Sequence, residues 1–262
     1  MKTSVAAALA IGFGLVVSAP AYATVNVLWY NGSNDGFAAA EDALATPGIG
    51  DPSSATWSIT HWYGGTAKPS GAFDVLVVGS ASASAPGSLI GDLPAFGNRV
   101  LVTGQDADFH LTNSPGAANF DGPRGFLRDA INWAAGGTGL GVVELSPGEG
   151  GIALADLGIT GINNDGGFTD TVDIPSAFAA FPINTNLSSA GLSNWGTSAH
   201  DDWSSVTSAW TGINTDGGAG FVTLVSADSA GGGIVGVPEP ASVALIGIGL
   251  AGLAGFRRRK PV

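Results

Sequence analysis

The central part of this 262-residue chain is predicted to be an α/β domain. The expected form is a three-layer sandwich on a mostly parallel sheet, followed by a short β-rich elaboration. Three observations predict it. Runs of strand-forming residues alternate with helix-like or loop segments, the order that sets parallel strands beneath crossover helices. One run, Phe73-Asp74-Val75-Leu76-Val77-Val78-Gly79, is apolar apart from Asp74 and shows no alternation, as in a strand buried on both faces. The two ends of the chain differ in character from the middle and read as addresses rather than fold.

Lys2 opens a short basic start, Val5–Val17 is apolar, and Ala21-Tyr22-Ala23 gives a small-x-small pattern before Thr24. Residues 1–23 therefore read as a secretory signal peptide. The apolar run is too short to cross the roughly 30 Å of a bilayer core. Residues 24–236 are the exported domain. Val25–Tyr30 is its first strand, and Phe37–Leu44 a helix with Asp35 near its N-cap. Trp57–Trp62, Phe73–Gly79 and Arg99–Thr103 are the next strands. Asp121-Gly122-Pro123 starts a second helix, with an acidic cap and a proline where a missing N–H costs little. Phe126, Leu127, Ala130, Ile131, Trp133 and Ala134 keep its apolar stripe, and Gly136-Gly137 stops it. Leu140–Leu145 is the fifth strand. A flavodoxin-like arrangement follows from this alternation.

From Ser146 to Gly236 the pattern loosens into Gly, Asn, Asp and Ser, with short apolar pieces such as Phe221–Val225. Gly161-Ile162-Asn163-Asn164-Asp165-Gly166-Gly167 echoes Gly212-Ile213-Asn214-Thr215-Asp216-Gly217-Gly218. Both read as tight turns between short strands.

The chain has no cysteine, so the exported domain has no disulfides and depends on its core. Residues 24–236 hold 20 acidic side chains against four basic ones, Lys68, Arg99, Arg124 and Arg128, a formal charge of −16. Such a surface repels nucleic acid phosphates and anionic lipid, which excludes nucleic acid as a partner. It suits divalent cations, neutral sugars or basic partners, and it also serves plain solubility.

In parallel sheets, sites form at the carboxyl ends of the strands. That rule selects Asn31, Asp35, His61, Tyr63, Ser80, the stretch Gly104–His110, and Glu144. The richest stretch is Gln105-Asp106-Ala107-Asp108-Phe109-His110. If extended, it points Asp106, Asp108 and His110 to one side. Two carboxylates and an imidazole suit a divalent metal or acid–base chemistry, with His61 joining from a neighbouring strand end. The same residues equally suit local bonding of a loop backbone. His200-Asp201-Asp202 is a second acidic-histidine cluster. Ser80 lacks a nucleophile frame, and Asp165, Asp170 and Asp173 lack the EF-hand spacing. The seven tryptophans divide between core packing and a sugar-stacking platform.

Val25–Tyr30, Phe73–Ser80 and Arg99-Val100-Leu101-Val102-Thr103-Gly104-Gln105, with Phe181–Asn184 and Asn194–Gly196 further on, resemble segments of the class I glutamine amidotransferase-like folds, including the trehalose-utilisation-like domains. That resemblance implies a flavodoxin-like sheet over about Val25–Val235. It also implies a nucleophilic Cys after the fourth strand. Here Thr103-Gly104-Gln105 stands there, so thiol chemistry is ruled out and the expected domain is non-catalytic.

The stretch 237–262 begins Val237-Pro238-Glu239-Pro240, which breaks any helix and leaves an extended segment. Ala241–Phe256 is uncharged and, as a helix at about 1.5 Å per residue, covers about 24 Å; a single transmembrane helix is expected there. Arg257, Arg258, Arg259 and Lys260 hold its end in the cytoplasm. This order resembles the PEP-CTERM sorting signal of Gram-negative bacteria. The resemblance implies that Val237–Pro240 and Arg257–Arg259 are read by an exosortase, an integral membrane processing enzyme. It further implies export across the inner membrane, transient tethering, then release to the cell surface or medium, in association with exopolysaccharide and biofilm. The expected protein is an exported envelope or matrix protein without catalysis. The alternative is an extracellular metal-dependent hydrolase or glycan-binding module using Asp106, Asp108 and His110.

Overall fold

Seven strands hydrogen-bond into one sheet in the computed structural model of the chain. The structure describes residues 24–32, 37–48, 51, 55–80, 93–113, 120–147, 153–163 and 167–230. The expected signal peptide over 1–23, Asp35, Asp165 and the whole stretch 237–262, with its expected membrane helix over 241–256, lie outside them. Among the described residues no helix is long and apolar enough to cross a membrane. The elements are β1 (Val25–Asn31), α1 (Ala38–Asp42), β2 (Trp57–Tyr63), β3 (Val75–Val78), β4 (Phe96–Thr103), α2 (His110–Asn113), α3 (Pro123–Ala135), β5 (Leu140–Leu145), α4 (Ser189–Leu192), β6 (Trp210–Thr215), β7 (Phe221–Ser226) and α5 (Ala227–Ala230).

The strand order is β2-β1-β3-β5-β4-β7-β6. The first five strands pair in parallel, and β7 is antiparallel to both β4 and β6. The α/β class with a mostly parallel sheet therefore stands. The order departs from the 2-1-3-4-5 of a flavodoxin arrangement, because β5 returns to lie between β3 and β4. The β-rich elaboration is the β6–β7 pair, which extends the same sheet beyond β4.

Alternate residues of the strands feed two cores. On one face Val27, Trp29, Val75, Val77, Leu101, Val143 and Leu145 pack under α3, whose Phe126, Leu127, Ala130, Ile131, Trp133 and Ala134 are all buried. On the other face Leu28, Leu76, Val102, Val142 and Leu224 meet Leu154, Leu157, Ile159 and Trp203. Among the described residues that second cover is a 3-10 turn, Leu154–Leu157, and loops rather than long helices.

Two local expectations are corrected. The N-cap of α3 is Gly122, with Pro123 in the first turn. Asp121 instead accepts hydrogen bonds from the backbone N–H and hydroxyl of Ser188, each at 2.6 Å, joining the start of α3 to the start of α4. The second Gly-Ile-Asn echo is also not a turn throughout: Gly212–Thr215 lies within β6, with Ile213 and Asn214 buried. Only its end turns, where Asp216 Oδ1 accepts from the N–H groups of Gly218 and Gly220 and Gly217 takes φ +81°. Of the first echo, Ile162 forms an isolated bridge to Val206.

Candidate metal centre

Past Thr103 the chain leaves β4 and coils rather than extending. The N–H of His110 donates to the carbonyl of Asp106 at 3.2 Å, and that of Leu111 to Asp108 at 3.2 Å. In this helical geometry, residues four apart share a face and residues two apart do not. Asp106 and His110 therefore converge, while Asp108 points away, contrary to the expectation of an extended segment.

The third member of the cluster is His200. Its N–H donates to the carbonyl of Gly104 at 2.7 Å, and the hydroxyl of Ser146 donates to the same oxygen at 2.8 Å. A Cβ on Gly104 would lie 1.7 Å from the Asp201 carbonyl oxygen, so only glycine lets the two segments pass this closely. Asp106 Oδ1 lies 3.0 Å from His110 Nε2, and Oδ2 lies 3.3 Å from His200 Nε2. One ligand atom from each of Asp106, His110 and His200 falls within 4.8 Å of the others. His110 Nε2 also sits 3.0 Å from the carbonyl of Thr197. The Asp106 Oδ1 contact has the distance but not the alignment of a hydrogen bond, and that buried oxygen has no hydrogen-bond partner. Asp106 and His110 are buried, and the His200 side chain is 29% exposed, so the cluster opens to solvent on the His200 side.

His61 is not part of it. β2 is the edge strand beyond β1, whereas Asp106 follows β4, with three strands (β1, β3 and β5) lying between. The His61 ring instead meets Glu41 at 3.4 Å and Asp42 at 3.0 Å. Asn31 Nδ2 donates to both oxygens of the fully buried Glu41, at 3.3 and 3.1 Å. Asp108 is fully buried, and its Oδ2 accepts the backbone N–H of Ser80 at 2.8 Å. Burial pushes its carboxyl up to about 6; hydrogen bonds from Ser80 oppose the rise and the Asp106 charge adds to it. Glu144 is pushed well above the ordinary carboxylate range, by burial first and by Asp108 second. Ser80 thus serves as a donor to Asp108. Gly79 accommodates this crowding: a Cβ there would lie 2.3 Å from Asn31 Oδ1 and 3.1 Å from Asp108 Oδ2.

The remaining candidates have structural contacts. Asp173 accepts from the Ser189 hydroxyl at 3.0 Å, and the Asp170 carbonyl accepts the Asn194 N–H at 2.8 Å. Trp29, Trp57, Trp62, Trp133, Trp195 and Trp203 are buried, so they offer no stacking platform. The exposed large apolar side chains among the described residues are Phe109 and Phe168, at 40% and 63%. Phe109 meets the His110 ring edge-on at 5.3 Å, and Phe168 meets the His200 ring edge-on at 5.7 Å. Phe109 lies within the Gly104–His110 stretch, but neither ring is marked in the sequence by a periodic pattern. A surface recess of about 340 Å³ between residues 161–163 and 205–207 is lined by no titratable side chain and offers no chemistry.

Two histidines and one carboxylate suit zinc or another first-row divalent ion, and leave coordination positions for water or a ligand. Calcium, which takes oxygen ligands, fits this set less well.

Comparison with known proteins bears on the end of the chain. Residues 236–260 match the PEP-CTERM protein-sorting motif. That motif marks an exported protein processed at the membrane, where an exosortase recognises the signal. No curated protein and no solved structure matches the chain.

Proposed function

We propose that this sorting-motif protein is a metal-binding protein of the cell surface, non-catalytic, whose exported domain holds one divalent first-row ion on Asp106, His110 and His200. The observation that carries this reading is the convergence of those three side chains from two distant segments, with Asp106 Oδ1 buried and without a hydrogen-bond partner. Coordination requires each imidazole to present a lone pair. His110 would do so by giving up the Nε2 contact to Thr197 or by using its other nitrogen. After processing of the tail, the domain would stand at the surface of a Gram-negative cell or in its matrix, associated with exopolysaccharide.

Calorimetric titration of the mature protein with zinc tests the metal. One equivalent is expected to bind, and His200→Ala and His110→Ala to weaken binding by about 100-fold or more. Absence of heat in the parent protein, or unchanged affinity in both variants, sinks the reading.

A second reading is favoured by the partly exposed His200. A metal with open positions activates water, and the domain would then be an extracellular hydrolase. Turnover of a glycan that chelation abolishes and zinc restores would establish it in place of the non-catalytic reading.

A further inference from the structure

We infer that Phe109 and Phe168 form an aromatic clamp that holds the sugar rings of a neutral glycan over the metal site, the ion taking hydroxyl oxygens of the same ligand. This rests on the metal reading above and names what that site would bind. Large apolar side chains exposed at 40% and 63% stand one against each histidine of the cluster. Phe109 is held in place, edge-on to Phe37 at 5.6 Å and edge-on to His110. The His110 ring is backed in turn by the buried Trp195 at 5.4 Å. Flat aromatic faces beside an ion select a ligand with both apolar C–H faces and oxygen donors, and a sugar ring has both.

Charge selects a neutral glycan. The exported domain has four basic side chains, and each is engaged elsewhere. Arg99 Nη1 donates to the Trp133 carbonyl, Arg124 Nη2 to Ala43, and Arg128 pairs with Asp51. Lys68 donates to Pro69 and lies over the Phe73 ring. No guanidinium or ammonium is therefore free to pair with a uronate, sulfate or phosphate; the ion alone could do so, and the acidic domain, with 20 acidic against four basic side chains, opposes an anionic ligand. An extended peptide is disfavoured because β4, which leads into the site, is paired on both sides by β5 and β7 and offers no edge for strand addition.

The test uses the mature protein loaded with zinc, and calorimetry against cellohexaose, maltohexaose, mannohexaose and hexagalacturonate. A neutral hexaose is expected to bind, Phe168→Ala to weaken it about tenfold, and Phe168→Tyr to preserve it. Because Phe168 is the more exposed ring, its truncation is expected to leave folding intact, and zinc affinity is measured on the same variant so that glycan loss is scored on zinc-loaded protein; Phe109→Ala repeats the test from the other side. The clamp is overturned if zinc binds but no neutral hexaose does, if only hexagalacturonate binds, or if neither truncation lowers glycan affinity. Failure of zinc itself to bind sinks the metal reading instead. A Phe168-dependent hexaose affinity without zinc would then uphold the clamp, and an independent one would overturn it.

Discussion

Asp129 shows what burial does to a single charge. It lies on α3, and its carboxyl is pushed up to about 7, by burial first and then by the Asp51 carboxylate; Asn186 and Arg128 oppose the shift. Its folded value lies above the ordinary carboxylate value of 3.8, so the folded state holds a proton that the unfolded chain has released. Stability from this group is therefore full below about pH 4 and is lost as the pH rises toward 7. Asp129→Asn is expected to remove that loss, raising stability at pH 8 by on the order of 1–3 kcal/mol while changing little at pH 4. Thermal unfolding of both proteins across pH 4–8 checks it, and parallel curves would show that Asp129 does not titrate in this range. Such residues were only partly legible beforehand. His110 and Asp106 stand close in the sequence, so their pairing is visible there, but alternation with Asp108 suggests a period of two where the chain coils with a period near four. His200 was seen as a separate cluster, since nothing local in the sequence announces that its N–H bonds to Gly104.

At the scale of elements, apolar pattern decided what could be read. β5 and α3 are legible because Leu140–Leu145 is apolar apart from Glu144 and α3 keeps one buried stripe. β6 is not, since Gly212 and Asn214 are residues that favour turns. Burial of Ile213 and Asn214 and pairing to β7 override that preference. The junction between elements at Gly104 matters most for the site, because it fixes where the segment carrying His200 crosses the end of β4. Gly104→Ala would drive a methyl into the Asp201 carbonyl. It is expected to cost about 1–3 kcal/mol of stability and to weaken zinc binding by tenfold or more. Thermal unfolding together with zinc calorimetry measures both. Full zinc affinity in this variant would show that the crossing does not position His200.

For the whole molecule, the sequence disclosed route more readily than chemistry. The sorting motif is a contiguous signature, legible residue by residue, whereas the cluster of Asp106, His110 and His200 is assembled by three-dimensional crossing. Intact mass measurement of protein recovered from the cell surface is expected to show a chain ending upstream of Arg257; a tail complete to Val262 in all material would indicate a permanent anchor. The sheet order adds a constraint in time. The N–H of Gly104 and the hydroxyl of Thr103 both donate to the carbonyl of Val222 in β7, and the Thr103 and Thr223 hydroxyls meet at 3.0 Å. A chain exported from its N-terminus therefore emerges with β4 incomplete on that side. The segment before Asp106 and His110 is locked only when β7 arrives, after nearly all of the domain has crossed. Pairing over such sequence separation is slow. On the proposed metal reading, capture would therefore be confined to the far side of the membrane, and the ion taken would be one available there.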